Sequence, residues 1–380
     1  MKQLQFLKYF ILLGYIVVYT DEMPSAELIF VSGVSICFSL VVVKLLNKKN
    51  YLDIFDWLIL VYILIVSFSS IRNNVNPKRI LYLSLCLFTI VETLKIDIKE
   101  NSIRTLRNIS LVFVFFVFFN FFLILLYPHG LWTKWSFERM DNTEMYLIGG
   151  NRNQMGATLL VSYLTCSIYY YMTKKLKFFQ VGVLTVSLIS LLIVDSKTSI
   201  LGLIAIFTYS LLKSTRMCKI AIIIEVLTFF LLQYFIVFSL SDISNNYLSY
   251  FIEDILQRDL TFSGRATIWF NDLITFLSSP IYGFGFQTSD WLEANINAIS
   301  PHNYVFAILL RGGILLLLCE IIILIVCMRE TLLYKNKESL LLLFSIWTLL
   351  IMSIMEAYSL YLYFYVYVIL FLSKHYMIKM

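Results

Sequence analysis

Apolar residues along most of this chain do not alternate with polar ones. They continue for about twenty positions and then give way to a short polar break. The runs fall at 4–20, 26–46, 52–71, 79–94, 109–127, 154–172, 178–194, 198–212, 220–240, 303–326, 340–356 and 357–373. A helix that crosses a bilayer needs about 20 such residues. Backbone groups in hydrocarbon must bond within their own segment, and the runs show no strand-like alternation. The pattern therefore predicts an all-α polytopic integral membrane protein with twelve transmembrane helices. No internal repeat, low-complexity tract or linker divides it, so residues 1–380 read as one integral membrane domain.

Two polar segments are long enough to fold, at 128–153 and 241–302. The second carries two amphipathic patterns. Tyr247, Leu248, Phe251, Ile252, Ile255 and Leu256 recur at helical spacing opposite Glu253, Asp254, Gln257 and Arg258. Further on, Ser263 can cap a helix whose Trp269, Leu273 and Leu277 line one face and which ends before Pro280. Such helices fit at the membrane–water boundary, roofing a cavity.

Composition narrows the class. The chain is 60% apolar, 17% aromatic and 14% charged, with mean hydropathy +0.82. Soluble domains sit at roughly 45–50% apolar and about 25% charged. A soluble enzyme, a disordered chain and a disulfide-rich secreted module are excluded. The six cysteines form no CxxC, and five of them lie in apolar runs, so they read as small core residues. Asp21-Glu22-Met23-Pro24 follows the first run without a small-residue cleavage site, so that run reads as a retained span.

Charge sets the orientation. With the N-terminus in the cytoplasm, 20 of the 30 Lys and Arg residues fall on inside segments, nine fall outside, and Arg311 lies within a helix. That asymmetry follows the positive-inside rule and places both termini in the cytoplasm. All five prolines and four of the six tryptophans then fall in the outside loops, which is where function is expected. A net charge of +6 suits basic cytoplasmic loops and does not point to nucleic acid.

The densest cluster of chemistry-bearing residues is Ser263-Gly264-Arg265, Pro280-Ile281-Tyr282-Gly283-Phe284-Gly285, Pro301-His302-Asn303-Tyr304 and Arg311-Gly312-Gly313. An arginine in an amphipathic loop helix, a P-x-x-G-x-G turn about fifteen residues later and H-N-Y opening the next helix resemble the O-antigen polymerase and O-antigen ligase family of membrane glycosyltransferases. The large outside loop before the last three helices is similar too. Residues 260–315 carry the motifs, and elsewhere the likeness is one of topology.

The resemblance implies glycan assembly on the outer face of a bacterial cytoplasmic membrane. Donor and acceptor would be undecaprenyl-diphosphate-linked glycans, with no metal, cofactor or nucleotide sugar. A flippase and a separate chain-length regulator are the expected partners. The expected activity is a polymerase making capsule, exopolysaccharide or O-antigen. The alternatives are a ligase transferring finished glycan to a terminal acceptor or, in a different class, a lipid-linked oligosaccharide flippase. The flippase lacks its usual repeat symmetry and matched broken helices here.

The residue types present suit that chemistry. A departing diphosphate needs fixed positive charge, and the arginine fork matches phosphate, which makes Arg265 the first candidate. Asp195-Ser196-Lys197-Thr198 is similar to the family's Ser-Arg motif, with lysine in place of arginine. Histidine suits a base working near neutral pH, which makes His302 the candidate base and Asn303 its orienting or acceptor-binding neighbour. Gly283 and Gly285 permit a close backbone approach. Asn151-Arg152-Asn153-Gln154 offers groups for hydroxyls or phosphate, and Glu356 is an acid of the kind the family keeps between its last helices. Arg311, two turns into a helix, must face protein or water. Each has a plainer reading: Arg265 as a snorkelling residue, His302 as a helix start, Lys197 as an interfacial anchor and Arg152 as part of a polar helix end. Asp21-Glu22 is read as solvated loop. The aromatic runs 113–122 and 358–367 read as lipid-facing or packing surface. His129 and His375 carry no pattern.

Overall fold

The computed structural model describes residues 2–18, 24–47, 52–136, 141–234, 265–333 and 337–373. The amphipathic pattern at 247–258, Ser263, Asp21-Glu22 and His375 lie outside these residues. Helices α1 (Lys2–Val17), α2 (Pro24–Asn47), α3 (Ile54–Arg72) and α4 (Pro77–Leu126) are followed by strands β1 (Trp132–Ser136), β2 (Asp141–Tyr146) and β3 (Gly150–Asn151). Then come α5 (Arg152–Thr173), α6 (Lys177–Ile193), α7 (Lys197–Leu211), α8 (Thr215–Leu232), α9 (Arg265–Ser278), α10 (Ser289–Ile296), α11 (Tyr304–Leu332), α12 (Lys337–Met352) and α13 (Leu360–Phe371). Among the described residues, α3, α4 and α11 are long and apolar enough to cross a membrane. Apolar helices of this kind suggest a membrane-embedded protein.

The core is centred on α13, whose residues are nearly all buried. The Tyr-rich stretch at 358–367 is therefore packing surface and does not face lipid: Tyr363, Phe364, Tyr365 and Tyr367 are fully enclosed. The other aromatic run divides by helical face, with Phe113 and Phe116 buried and Phe115, Phe118, Phe119 and Phe122 exposed. All six cysteines are free and buried.

Two helices break inside their length. In α4 the break is at Asn101 (φ −156°, ψ 87°), so the polar segment expected between the runs 79–94 and 109–127 is itself mostly helical. The break is re-capped locally: Asn101 Oδ1 accepts from Arg104 N at 3.0 Å, and Thr105 Oγ1 donates to Asp97 O at 3.0 Å. In α11 the break is at Gly312–Gly313, with Gly313 at φ 62°. Free backbone groups are costly away from water, and irregular backbone at membrane depth survives only where protein satisfies it. Here the 280–285 turn does so. Phe284 N donates to Leu310 O (2.6 Å), Gly285 N to Arg311 O (2.9 Å) and Ile314 N to Pro280 O (2.9 Å).

The 128–153 segment holds an antiparallel sheet of order β1-β2-β3, which the apolar pattern did not call for. Tyr146 Oη donates to Pro128 O (3.0 Å) and Glu144 (2.8 Å), and His129 Nδ1 lies 3.1 Å from Glu144. Ile148 N donates to Asn120 Oδ1 and Gly149 N to Val17 O, tying the sheet to α4 and α1. It delivers Asn151 as the N-cap of α5, accepting from Asn153 N and Gln154 N.

Candidate functional site around Glu356

The apolar runs 340–356 and 357–373 abut in sequence, yet residues 353–359 are not helical and form the connection between α12 and α13. Glu356 sits in that connection and is 3% exposed. A buried carboxylate needs partners, and four side chains from three distant segments supply them. His302 Nδ1 lies 3.1 Å from Oε1 and Arg265 Nη2 lies 3.4 Å from Oε2. From the first turn of α5, Asn153 Nδ2 donates to Oε2 (3.3 Å) and Gln154 Nε2 to Oε1 (3.2 Å). Burial alone would raise the pKa of Glu356. His302, Arg265 and Asn153 more than offset it and hold the carboxyl at about 2. It is therefore a fixed anion at neutral pH.

Each donor is placed by local structure. Arg265 is the first residue of α9, whose buried face carries Ile268, Trp269 and Asp272. Leu277, expected on one face with Trp269 and Leu273, is exposed where Trp269 is buried. His302 has a positive φ of 50°, set between Pro301 and the cap of α11. Asn303 is that cap. Its Oδ1 accepts from Val305 N (2.9 Å) and Phe306 N (3.2 Å), and its Nδ2 donates to Gln233 and to Ile354 O (3.2 Å each). Its side chain is thus engaged at both ends, tying α11 to the Glu356 connection.

The glycines of the 280–285 turn do approach other backbone closely, but that backbone is the protein's own. A Cβ on Gly283 (φ 63°) would lie 2.6 Å from Leu310 O, and one on Gly285 (φ 85°) 2.4 Å from Ser70 Cα. These glycines let the turn dock against the break in α11 and the end of α3.

The remaining candidates lie around this centre. Arg152 opens α5 beside Asn153 and forms no ion pair with a described residue. Lys197 opens α7, whose Ser199 packs on Gly156 of α5 so closely that a Cβ there would lie 1.8 Å from Ser199 Oγ. This puts Lys197 at the same end of the bundle. Arg311 lies beyond the turn, its guanidinium 5.3 Å from the Phe286 ring centre. Among the described residues, no three His, Cys, Asp or Glu side chains are placed to share a metal ion.

Sequence reasoning missed Asp272. It is fully buried, and neither carboxylate oxygen has a hydrogen-bond partner among the described residues. Burial pushes its pKa up to about 8, with nearby His302 pulling the other way. His302 is thus flanked by one ionised and one largely protonated carboxyl. The position i+7 from Arg265 puts Asp272 on the same face of α9, and that spacing was the one signal available.

No protein-family model, curated protein or solved structure matches the chain. What the cluster can do must be read from its own atoms.

Proposed function

We propose that this protein is a membrane glycosyltransferase that joins lipid-diphosphate-linked oligosaccharide repeat units into a bacterial surface polysaccharide. In this reading twelve helices span the cytoplasmic membrane, both termini are cytoplasmic, and the Glu356 cluster faces outward. The observation that supports it is the convergence of Arg265, His302, Asn153 and Gln154 on one buried carboxylate. The first two are the cation and the base that such a transfer needs.

The roles in this reading are these. Glu356 engages His302 through Nδ1, which favours the tautomer with the proton there, and this reading gives Nε2 the role of base. The acceptor hydroxyl gives its proton to Nε2 as its oxygen bonds to the anomeric carbon. The bond from that carbon to the diphosphate oxygen breaks, and the electron pair leaves with the lipid diphosphate. Arg265 meets Glu356 through one nitrogen, so most of its five N–H donors stay available for the developing anion. Glu356 is a positioning residue whose charge also stabilises the imidazolium as it forms.

Lipid-linked glycans extracted from a deletion strain test the reading. Accumulation of single repeat units on the carrier is expected, reversed by the wild-type gene and not by Arg265→Ala at equal membrane abundance. Accumulated long chains would make the protein a ligase. Units confined to the inner leaflet would make it a flippase. Normal polymer in the Arg265→Ala strain would remove the diphosphate assignment.

A further inference from the structure

A cavity of about 100 Å³ lies beside the Glu356 cluster, between the 285–292 segment and the first turns of α11. It is well above the roughly 10–15 Å³ that admits one water. Pro301 forms part of its wall, so it ends one residue from His302. Phe286 and Trp291 supply aromatic surface, Gln287 an amide and Arg311 a cation. The amide nitrogen of Gln287 already donates to Phe284 O at 2.7 Å, so what its amide offers is an acceptor oxygen.

Arg311 is the feature that needs an explanation. No acidic side chain among the described residues lies within ion-pair distance of it, and its Nη1 is buried without a hydrogen-bond partner. Its guanidinium carbon lies 5.3 Å from the Phe286 ring centre, and the group also interacts electrostatically with Tyr62 and Glu320. The nearest acid along α11 is Glu320. That residue is buried and accepts from Tyr304 Oη at 2.7 Å, nine positions further on and across the helix break. Arg311 is half-buried, its buried Nη1 is a donor that costs free energy to leave unpaired, and a fork-shaped donor at a cavity wall matches a carboxylate or a phosphate.

Charge and lining separate the two. A phosphate monoester carries about −1.5 to −2 charges near neutral pH, and the cavity wall offers a single cation. Arg79 is half-buried, donates to Gln287 O (2.8 Å) and does not line the cavity. Two aromatic rings and one amide acceptor suit a ring with an apolar face and hydroxyl edges. Building on the glycan reading above, we infer that this cavity is a subsite for an acidic sugar: a hexuronate residue of the repeat unit sits there, its carboxylate on Arg311 and its ring against Trp291. The protein would then select glycans with a carboxylated sugar next to the residue that reacts at His302.

Direct binding tests this without any need for turnover. Purified full-length protein in detergent is titrated with free glucuronate, galacturonate, glucose and inorganic phosphate, read by saturation-transfer NMR. Either uronate is expected to bind in the millimolar range, with glucose at least tenfold weaker, and Arg311→Gln is expected to raise the uronate Kd at least tenfold. Arg311→Lys keeps the charge and loses the fork, so it should give an intermediate Kd. Trp291→Leu should weaken uronate and leave any phosphate signal unchanged. Phosphate binding tighter than uronate and lost in Arg311→Gln would overturn the sugar assignment in favour of a phosphate site. Absence of binding to wild type, or equal uronate binding by wild type and Arg311→Gln, would overturn the subsite altogether. Because no polymer is measured, failure here and failure of the polymerase reading are separate outcomes.

Discussion

Helix α3 joins two charged regions that solve the same problem differently. At 1.5 Å per residue its 19 residues cover roughly 28 Å. Its start carries Asp53 and Asp56, and at its far end Ser70 receives the 285–286 backbone. At the first end the charges close on one another. Lys95 pairs with Asp56, with Glu92 at 3.4 Å and with Asp53 at 3.6 Å, while Lys99 takes Asp53 at 3.0 Å. Lys8 pairs with Asp97, and Lys44 lies 3.5 Å from Asp97 and 3.4 Å from Glu100. At the Glu356 end the donors converge on one acid, Arg265 keeps donors to spare, and Asp272 and Arg311 Nη1 have no hydrogen-bond partner among the described residues. A region whose cations are each paired with acids builds the fold, although Glu92 Oε2 there has no hydrogen-bond partner among the described residues. A region that leaves the carboxyl of Asp272 and Nη1 of Arg311 unsatisfied has polar groups to spare for a ligand.

The comparison is broken most directly by substitution at each end. His302→Ala should lower chain extension by about 10²–10⁴-fold, the usual contribution of a positioned base, with little change in thermal unfolding of the purified protein. Lys95→Met should do the reverse. It leaves Asp56 and Glu92, each 1% exposed at the side chain, without their cation. Removing one partner of a buried pair costs about 3–5 kcal/mol, so yield and melting temperature should fall while activity per folded molecule holds. A Lys95→Met protein with unchanged melting and lost polymer would reverse the assignment of the two ends.

These two variants also mark what the sequence could and could not reveal. Arg265, His302 and Glu356 stand out in the chain through the motifs and topology that resemble a known family, and the first two also through side-chain chemistry suited to phosphate and to proton transfer. The structure brings all three within hydrogen-bonding reach. The Lys95 network was visible only as half of itself. Lys8, Lys44, Lys95 and Lys99 entered as cations that orient a membrane protein, and that rule ignores acids. Apart from Glu92, three positions before Lys95, the partners lie 39 to 89 positions away, a separation no local pattern records. Strand β2 was hidden for another reason. Asp141-Asn142-Thr143-Glu144 has no apolar face, and its strand conformation is imposed by pairing with Trp132–Ser136. Asp272 looked like the polar side of an amphipathic helix until α11 packed against it.

A smaller effect tests whether the glycine turn serves the site or only the fold. Gly285→Ala puts a Cβ 2.4 Å from Ser70 Cα at φ 85°. The left-handed region alone costs an L-residue about 1–2 kcal/mol, and the contact adds to it. Melting should fall by several degrees, and activity should fall with it at elevated temperature and recover when the protein is assayed cold. A loss of activity at all temperatures with melting unchanged would place the turn at the substrate.

The sharpest test depends on sign. Asp272 in the folded protein holds its proton up to about pH 8, against an ordinary value of 3.8. Between those values the folded state binds more protons than the unfolded one, so this group lowers stability as pH rises. Glu356 has the opposite sense. Its pKa of about 2 lies below the ordinary 4.5, so its contribution is complete above pH 4.5 and is lost only as pH falls toward 2. Between pH 5 and 8 Glu356 is silent and Asp272 is not. Asp272→Asn should therefore melt close to wild type at pH 5 and progressively above it toward pH 8. Parallel melting curves across that window would mean that Asp272 is ionised in the folded protein. A counter-ion would then sit beside it, and the unsatisfied carboxyl that distinguishes this end of the bundle from the other would be gone.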